Sequence, residues 1–185
     1  DAAGKPGAGA QPAELAARDD KPLEAGCATR DITPPAGAPL WGYSDSVRVG
    51  KTTLDPLYAK AIVLGCGGQR VAVVTMDTGR VPPRAACGRI RAAAARHGVD
   101  EVVLMATHTH SAPVMEVPGL PHQAGIEQAI GDCIAEAAGA LKPARLAAGR
   151  ATVDIAHNRR LIRDGECYMM WRNAERKPTS PVDRE

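Results

Sequence analysis

A chain of 185 residues, 44% of them hydrophobic, suits one folded domain with room for a sizeable core. A net charge of +2, with basic residues spread along the sequence, gives no positive footprint for nucleic acid and no polybasic patch for a membrane surface. No apolar run reaches the length of a membrane span. With two Trp, three Tyr and no Phe, the core must be aliphatic and alanine-rich.

Residues 1–23 are rich in Ala, Gly, Pro and charge and read as a flexible leader. Leaders of this kind follow secretion signals, so a secreted or periplasmic location is expected, although no signal peptide stands in the chain. Glu24 to Ile32 predicts a strand closed by Thr33-Pro34-Pro35. Leu57 to Cys66 and Val71 to Met76 predict two more. The Gly67-Gly68-Gln69-Arg70 turn between them makes an antiparallel hairpin. Pro82-Pro83 sets a helix start, Ala85 to His97 carries an apolar stripe, and Gly98 suits the position just past the helix end. Val102 to Thr107 predicts the fourth strand. Strand, helix, strand implies a right-handed crossover, so Val71–Met76 and Val102–Thr107 should run parallel. A loop rich in Pro and Gly spans Ser111 to Gly125, and Ile126 to Leu141 predicts a second helix stopped by Lys142-Pro143. Residues 144–156 read as another strand, and a short hairpin is expected around Asp164-Gly165. The fold class is therefore α/β: a mixed β-sheet with a parallel crossover core flanked by helices.

Five cysteines are scattered with no C-x-x-C pair, and an odd count leaves at least one unpaired. Cys27, Cys66 and Cys133 lie in apolar segments and are expected as buried small hydrophobes.

The chemistry concentrates in Thr107-His108-Thr109-His110-Ser111, directly after the apolar run Val102–Met105. On a continuing strand, side chains alternate faces, so His108 and His110 would point the same way at roughly 6.5–7 Å between Cα atoms. Two imidazoles so placed lean onto one cation, and zinc favours such nitrogens. Asp77 ends the neighbouring parallel strand. In open α/β sheets the ligand crevice lies beyond the carboxyl ends of the strands, so Asp77 and the two histidines should converge on one edge. Asp77 has three readings: a ligand, an acceptor that orients an imidazole, or the cap of the turn before Pro82. His97 reads as a helix C-terminal residue interacting with the dipole.

Other His-x-His sites fail. Metallo-β-lactamase-like hydrolases carry His-x-His-x-Asp-His, whereas Ser111, Ala112 and Pro113 follow here. Amidohydrolase barrels carry the motif on their first strand, and this chain is too short for such a barrel.

From about Glu24 to Glu185 the chain resembles the N-terminal part of the neutral/alkaline non-lysosomal ceramidase family. The carriers are Thr29-Arg30-Asp31-Ile32-Thr33-Pro34-Pro35, Trp41-Gly42-Tyr43, Asp55-Pro56-Leu57-Tyr58-Ala59, Thr75-Met76-Asp77, Ala106 to Pro113 and Asn158-Arg159-Arg160. Ala112 stands where the family has Gly. The resemblance implies a zinc-dependent amidase that hydrolyses the N-acyl bond of ceramide-like lipids to fatty acid and sphingoid base. His108 and His110 match the first two zinc ligands. Asn158-Arg159 matches a segment near the family's active site. Arg159 then faces the polar head of the substrate or a developing oxyanion, or else forms a structural ion pair.

The family's further ligands, a His and later a Glu and a Tyr, lie downstream of Glu185, so residues 24–185 are expected to be the N-terminal part of a longer catalytic domain. Taken alone, they are expected to be inactive and marginally stable. Local substitutes for the missing ligands are His122, Glu116 or His157. Apolar walls for a lipid groove are suggested only by Leu40-Trp41 and Val114-Met115. Two alternatives stand beside the amidase: a metal-dependent hydrolase of the same fold with a different substrate, and a non-catalytic metal-binding domain.

Overall fold

The computed structural model describes residues 21–43, 48–153, 158–172 and 181. They fall into two compact units, one within Arg18–Arg145 and one within Leu146–Glu185.

The larger unit is built on a five-stranded sheet. Its elements are β1 (Glu24–Asp31), β2 (Pro39–Leu40), β3 (Arg48–Val49), β4 (Tyr58–Cys66), β5 (Gln69–Met76), α1 (Arg84–Ala95), β6 (Glu101–Ala106), α2 (Pro121–Gly139) and β7 (Lys142–Pro143). The sheet order is β6-β5-β4-β1-β7, while β2 and β3 form a separate two-stranded pair. Gly67 (φ 61°) and Gly68 (φ 86°) close the β4–β5 hairpin, with Cys66 opposite Gln69. Two successive positive φ values make the tight turn whose twist matches its strands. Only β5 and β6 run parallel, with Met76 beside Ala106 at their ends. The mixed α/β sheet with its parallel crossover is therefore as expected.

Period-two alternation decides which face is covered. Ala59, Ala61 and Val63 on β4, Ala72, Val74 and Met76 on β5, and Val102 on β6 all point one way and are buried. They meet Ile90 of α1 and Ile126, Ile130, Cys133, Ile134 and Ala137 of α2, whose spacing of three and four keeps them on one helical face. The opposite sheet face carries the register row Cys27–Ile62–Val73–Val103. Of these, Cys27, Ile62 and Val103 are exposed.

That alternation corrects the reading of Cys27 and Cys66 as buried. Both lie on the outer register of their strands, away from the helices, and are exposed, whereas Cys87 and Cys133 are buried. Burial also pushes the Cys133 thiol up in pKa. We expect Cys27, Cys66 and Cys167 to react with an aromatic disulfide reagent in the native protein, and Cys87 and Cys133 only on unfolding. A fast-phase count of five thiols would contradict this burial.

Two further boundaries move. α2 starts at Pro121 rather than Ile126, because His122 and Gln123 are part of its buried face. The His122 ring bonds the Val114 carbonyl (2.8 Å), and the Gln123 amide donates to Met115 O (3.0 Å) and Val117 O (2.7 Å). These polar side chains satisfy loop carbonyls rather than mark a loop of their own. The strand expected over residues 144–156 is absent among described residues 144–153. Strand pairing with β1 stops at Lys142 and Pro143; after the Ala144 amide donates to Leu23 O (2.8 Å), residues 145–153 are exposed and pair with no strand among the described residues.

In the smaller unit, β8 (Arg160–Arg163) and β9 (Glu166–Met169) form the expected hairpin around Asp164 (φ 53°) and Gly165 (φ 80°). No helix among the described residues is long and apolar enough to cross a membrane.

Candidate metal centre

The parallel pair brings Asp77 and the histidine segment to one sheet edge. The Thr107 amide donates to Met76 O (2.9 Å), and the His108 amide donates to Thr78 O (3.0 Å), so the two strand exits travel together. The histidines meet by a different route from strand alternation. β6 ends at Ala106, and His108 has φ 64°, in the left-handed region. A side chain there costs of order 1–3 kcal/mol and persists only where its surroundings over-determine it. The left-handed step turns the chain so that the two imidazole centroids lie 5.2 Å apart at 74°.

His108 is held by more than its backbone. Its Nδ1 lies 2.9 Å from Gly79 O. A carbonyl oxygen only accepts, so in the neutral ring Nδ1 carries the hydrogen and Nε2 presents its lone pair. This is how protein groups orient imidazoles that bind metal.

Trp41 packs against both rings, with centroids 4.7 Å from His108 and 4.7 Å from His110. Tyr43 adds a contact to His110 at 4.9 Å. The β2 segment reaches this place because it adds to the loop after His110: Trp41 N donates to Ala112 O (2.8 Å) and Val114 N to Pro39 O (2.9 Å). Arg48 clamps the two segments, donating through Nη2 to Trp41 O (3.3 Å) and also to His110 O. Its guanidinium lies 4.7 Å over the Tyr43 ring. The Arg80 guanidinium lies 5.6 Å over the Trp41 ring and pairs with Glu116 at 3.4 Å.

Asp77 stands at this edge, with its carboxylate engaged elsewhere. One oxygen accepts from Tyr58 N (3.0 Å) and the other from the Thr107 hydroxyl (3.2 Å). The carbonyl of Gly79, rather than Asp77, bonds the His108 ring. We expect Asp77→Ala to lose about 0.5–1.5 kcal/mol of stability, chiefly from the half-buried Tyr58 amide, since the exposed Thr107 hydroxyl can bond water instead. Urea unfolding measures this, and Asp77→Asn should lose less, having kept an acceptor. An unchanged midpoint for Asp77→Ala would show that the carboxylate does not hold Tyr58 and Thr107.

The local substitutes do not join the pair. His122 spends Nε2 on Val114 O, and Glu116 pairs with Arg80 while accepting from Met115 N (3.1 Å). His157 lies outside the described residues. His97 sits just past the end of α1, its amide bonded to Ala94 O (2.9 Å). Among the described residues no group of three His, Cys, Asp or Glu could hold a metal ion. What the described residues bring together is a pair of imidazoles, the donor type that zinc accepts readily.

Asn158 and Arg159 belong to the smaller unit. Asn158 Oδ1 accepts from Arg160 N (2.9 Å), its Nδ2 donates to Pro181 O (3.1 Å), and Arg159 lies 5.4 Å over Trp171.

A cleft of about 550 Å³ opens beside the histidine loop. Pro34, Leu40, Val49 and Leu54 give it apolar wall, and Thr109 and Ser111 lie in its lining. Of Leu40-Trp41 and Val114-Met115, Leu40 is in this lining; Trp41 and Val114 are not, and Met115 is 1% exposed and belongs to the core.

No protein-family model matches the chain. Solved structures do. Neutral ceramidase from Pseudomonas aeruginosa matches with a TM-score of 0.58 and 26% identity over 68% of this chain. A ceramidase complexed with C2 matches with a TM-score of 0.57 and 26% identity over 67%. The matches span only 23% and 22% of those proteins. Over about two thirds of its length, the chain is thus similar in structure to less than a quarter of a ceramidase.

Proposed function

We propose that this chain is part of a zinc-dependent amidase that cleaves the N-acyl bond of ceramide-like lipids, with His108 and His110 as zinc ligands. The observation that carries the reading is the pair of imidazoles 5.2 Å apart at the carboxyl edge of the parallel strands, one of them held through Nδ1 so that Nε2 carries the lone pair. The ceramidase likeness supports the reaction class, and the apolar cleft beside Thr109 and Ser111 supports a lipid-like acyl substrate. A volume of about 550 Å³ lies within the usual span for small-molecule sites.

When bound, zinc supplies Lewis acidity for polarising an amide carbonyl. The chain's own residues hold the site. Gly79 O keeps the His108 tautomer, Trp41 and Tyr43 wall the rings, and Arg48 ties the aromatic segment to the His110 backbone. Arg159 is assigned to the substrate head group on the family resemblance alone.

The lack of a third ligand among the described residues favours one other reading, a metal-binding domain without catalysis. Both are tested by expressing the protein's whole reading frame beside residues 1–185 and assaying ceramides and water-soluble N-acyl amides, with and without a chelator. Chelator-sensitive release of fatty acid by the whole frame, with little by residues 1–185, supports the amidase. Zinc binding without turnover on any amide supports the second reading. Comparable turnover by the short chain would mean that local residues complete the site.

A further inference from the structure

We propose that Gly79 is a positioning residue of the histidine site, present as glycine because Trp41 occupies the space of its side chain. The proposal rests on the zinc reading above, but one of its readouts does not.

Conformational freedom does not explain this glycine. Gly79 is buried and is not among the residues with positive φ. Space does explain it. A Cβ on Gly79 would fall among Cγ, Cδ2 and Cε3 of the Trp41 indole, far inside contact distance. The indole in turn lies edge-on against both imidazoles, 4.7 Å from each. Gly79 therefore acts on the pair twice: its carbonyl holds Nδ1 of His108, and its bare Cα seats the ring that packs on both histidines.

The seat has little play. Trp41 N is bonded to Ala112 O at 2.8 Å, and Trp41 O accepts from Arg48. The next residue, Gly42, is pressed against the other histidine, since a Cβ there would lie 2.6 Å from His110 Nδ1. On the other side, the Thr78–Gly79 backbone is tied to His108 through both its amide and its ring. A side chain at position 79 must push the indole toward the imidazoles or pull the Gly79 carbonyl away from His108. Either movement disturbs the geometry that a cation would need. The overlapped atoms are the indole's Cγ, Cδ2 and Cε3 rather than the tip of a flexible chain, so the methyl is accommodated only by moving the ring or the backbone.

The test is a cycle of Gly79→Ala, Trp41→Ala and the double variant, read by zinc and Co(II) affinity in competition with a chelator. Loss of groups that orient metal ligands typically weakens affinity ~10–100-fold. We expect a loss of that size for Gly79→Ala, and a double variant no weaker than Trp41→Ala alone, because the clash needs both partners. Wild-type affinity in Gly79→Ala, or losses that simply add, would overturn the proposal. If Gly79→Ala fails to fold, the double variant must fold as Trp41→Ala does; a double variant that also fails overturns the seat.

The second readout needs no metal. Nitrogen chemical shifts of the His108 ring in metal-free protein should report the Nδ1–H tautomer, shifting toward a mixture in Gly79→Ala. An unmoved tautomer would refute the positioning role. If wild type binds no zinc, or if His108→Ala and His110→Ala bind it as wild type does, the zinc reading falls, and the tautomer measurement still judges Gly79.

Discussion

Replacing either His108 or His110 with Ala should reduce zinc affinity by at least ~100-fold. Removing a group that merely orients a ligand costs ~10–100-fold, so removing the donor itself costs more. The pair offers only two protein nitrogens among the described residues, so neither can be spared. Zinc content after dialysis, with chelator competition for affinity, measures the effect. His97→Ala is the control, since His97 is exposed at the far end of α1. Unchanged zinc in both His108→Ala and His110→Ala would end the metal reading.

Gly26→Ala should cost about 3 kcal/mol, the upper part of the range for overfilling a packed interior. An added Cβ would run into the Ala137 carbonyl oxygen and lie 2.9 Å from Ala140 C and 3.0 Å from Leu141 N. All three are backbone atoms, so no side chain can swing aside. β1 and the end of α2 would have to part, and α2 supplies Ile126, Ile130 and Ile134 to the core. A fall in the urea midpoint with an unchanged slope is the expected result. A midpoint equal to wild type would show that the helix end accommodates the methyl by moving.

Where one physical rule acted alone, the sequence was sufficient. The glycine turn, the Pro82-Pro83 helix start and the Asp164-Gly165 hairpin each follow from local backbone chemistry and are present, though the turn is only Gly67-Gly68, because Gln69 and Arg70, read as part of it, already pair in β5. The parallel strand order follows from crossover topology, and it places Asp77 beside the histidine loop. The misread places are those where tertiary contacts override a local pattern. His122 and Gln123 look like loop residues because their buried polar atoms find carbonyls only after the chain folds back. His108 leaves the strand period because a left-handed turn is stabilised by Thr78 and Gly79, thirty and twenty-nine residues earlier. Trp41, Arg48 and Gly79 carry no spacing signal toward His108. The available hint was compositional: in a chain with five aromatics, Trp41 and Tyr43 flank one glycine, and both pack on His110.

The double-glycine turn also governs the order in which the sheet assembles. A two-residue hairpin closes in ~1–10 μs, with almost no loop entropy to overcome. β1 must find β4 across the whole 32–57 segment, and β6 must wait for the α1 crossover to span the gap from Met76 to Glu101. Assembly is therefore expected to start at Cys66 and Gln69 and spread outward, so that in stopped-flow refolding substitutions at Gly67 or Gly68 should slow folding, whereas changes at β7, paired through two residues only, should chiefly speed unfolding.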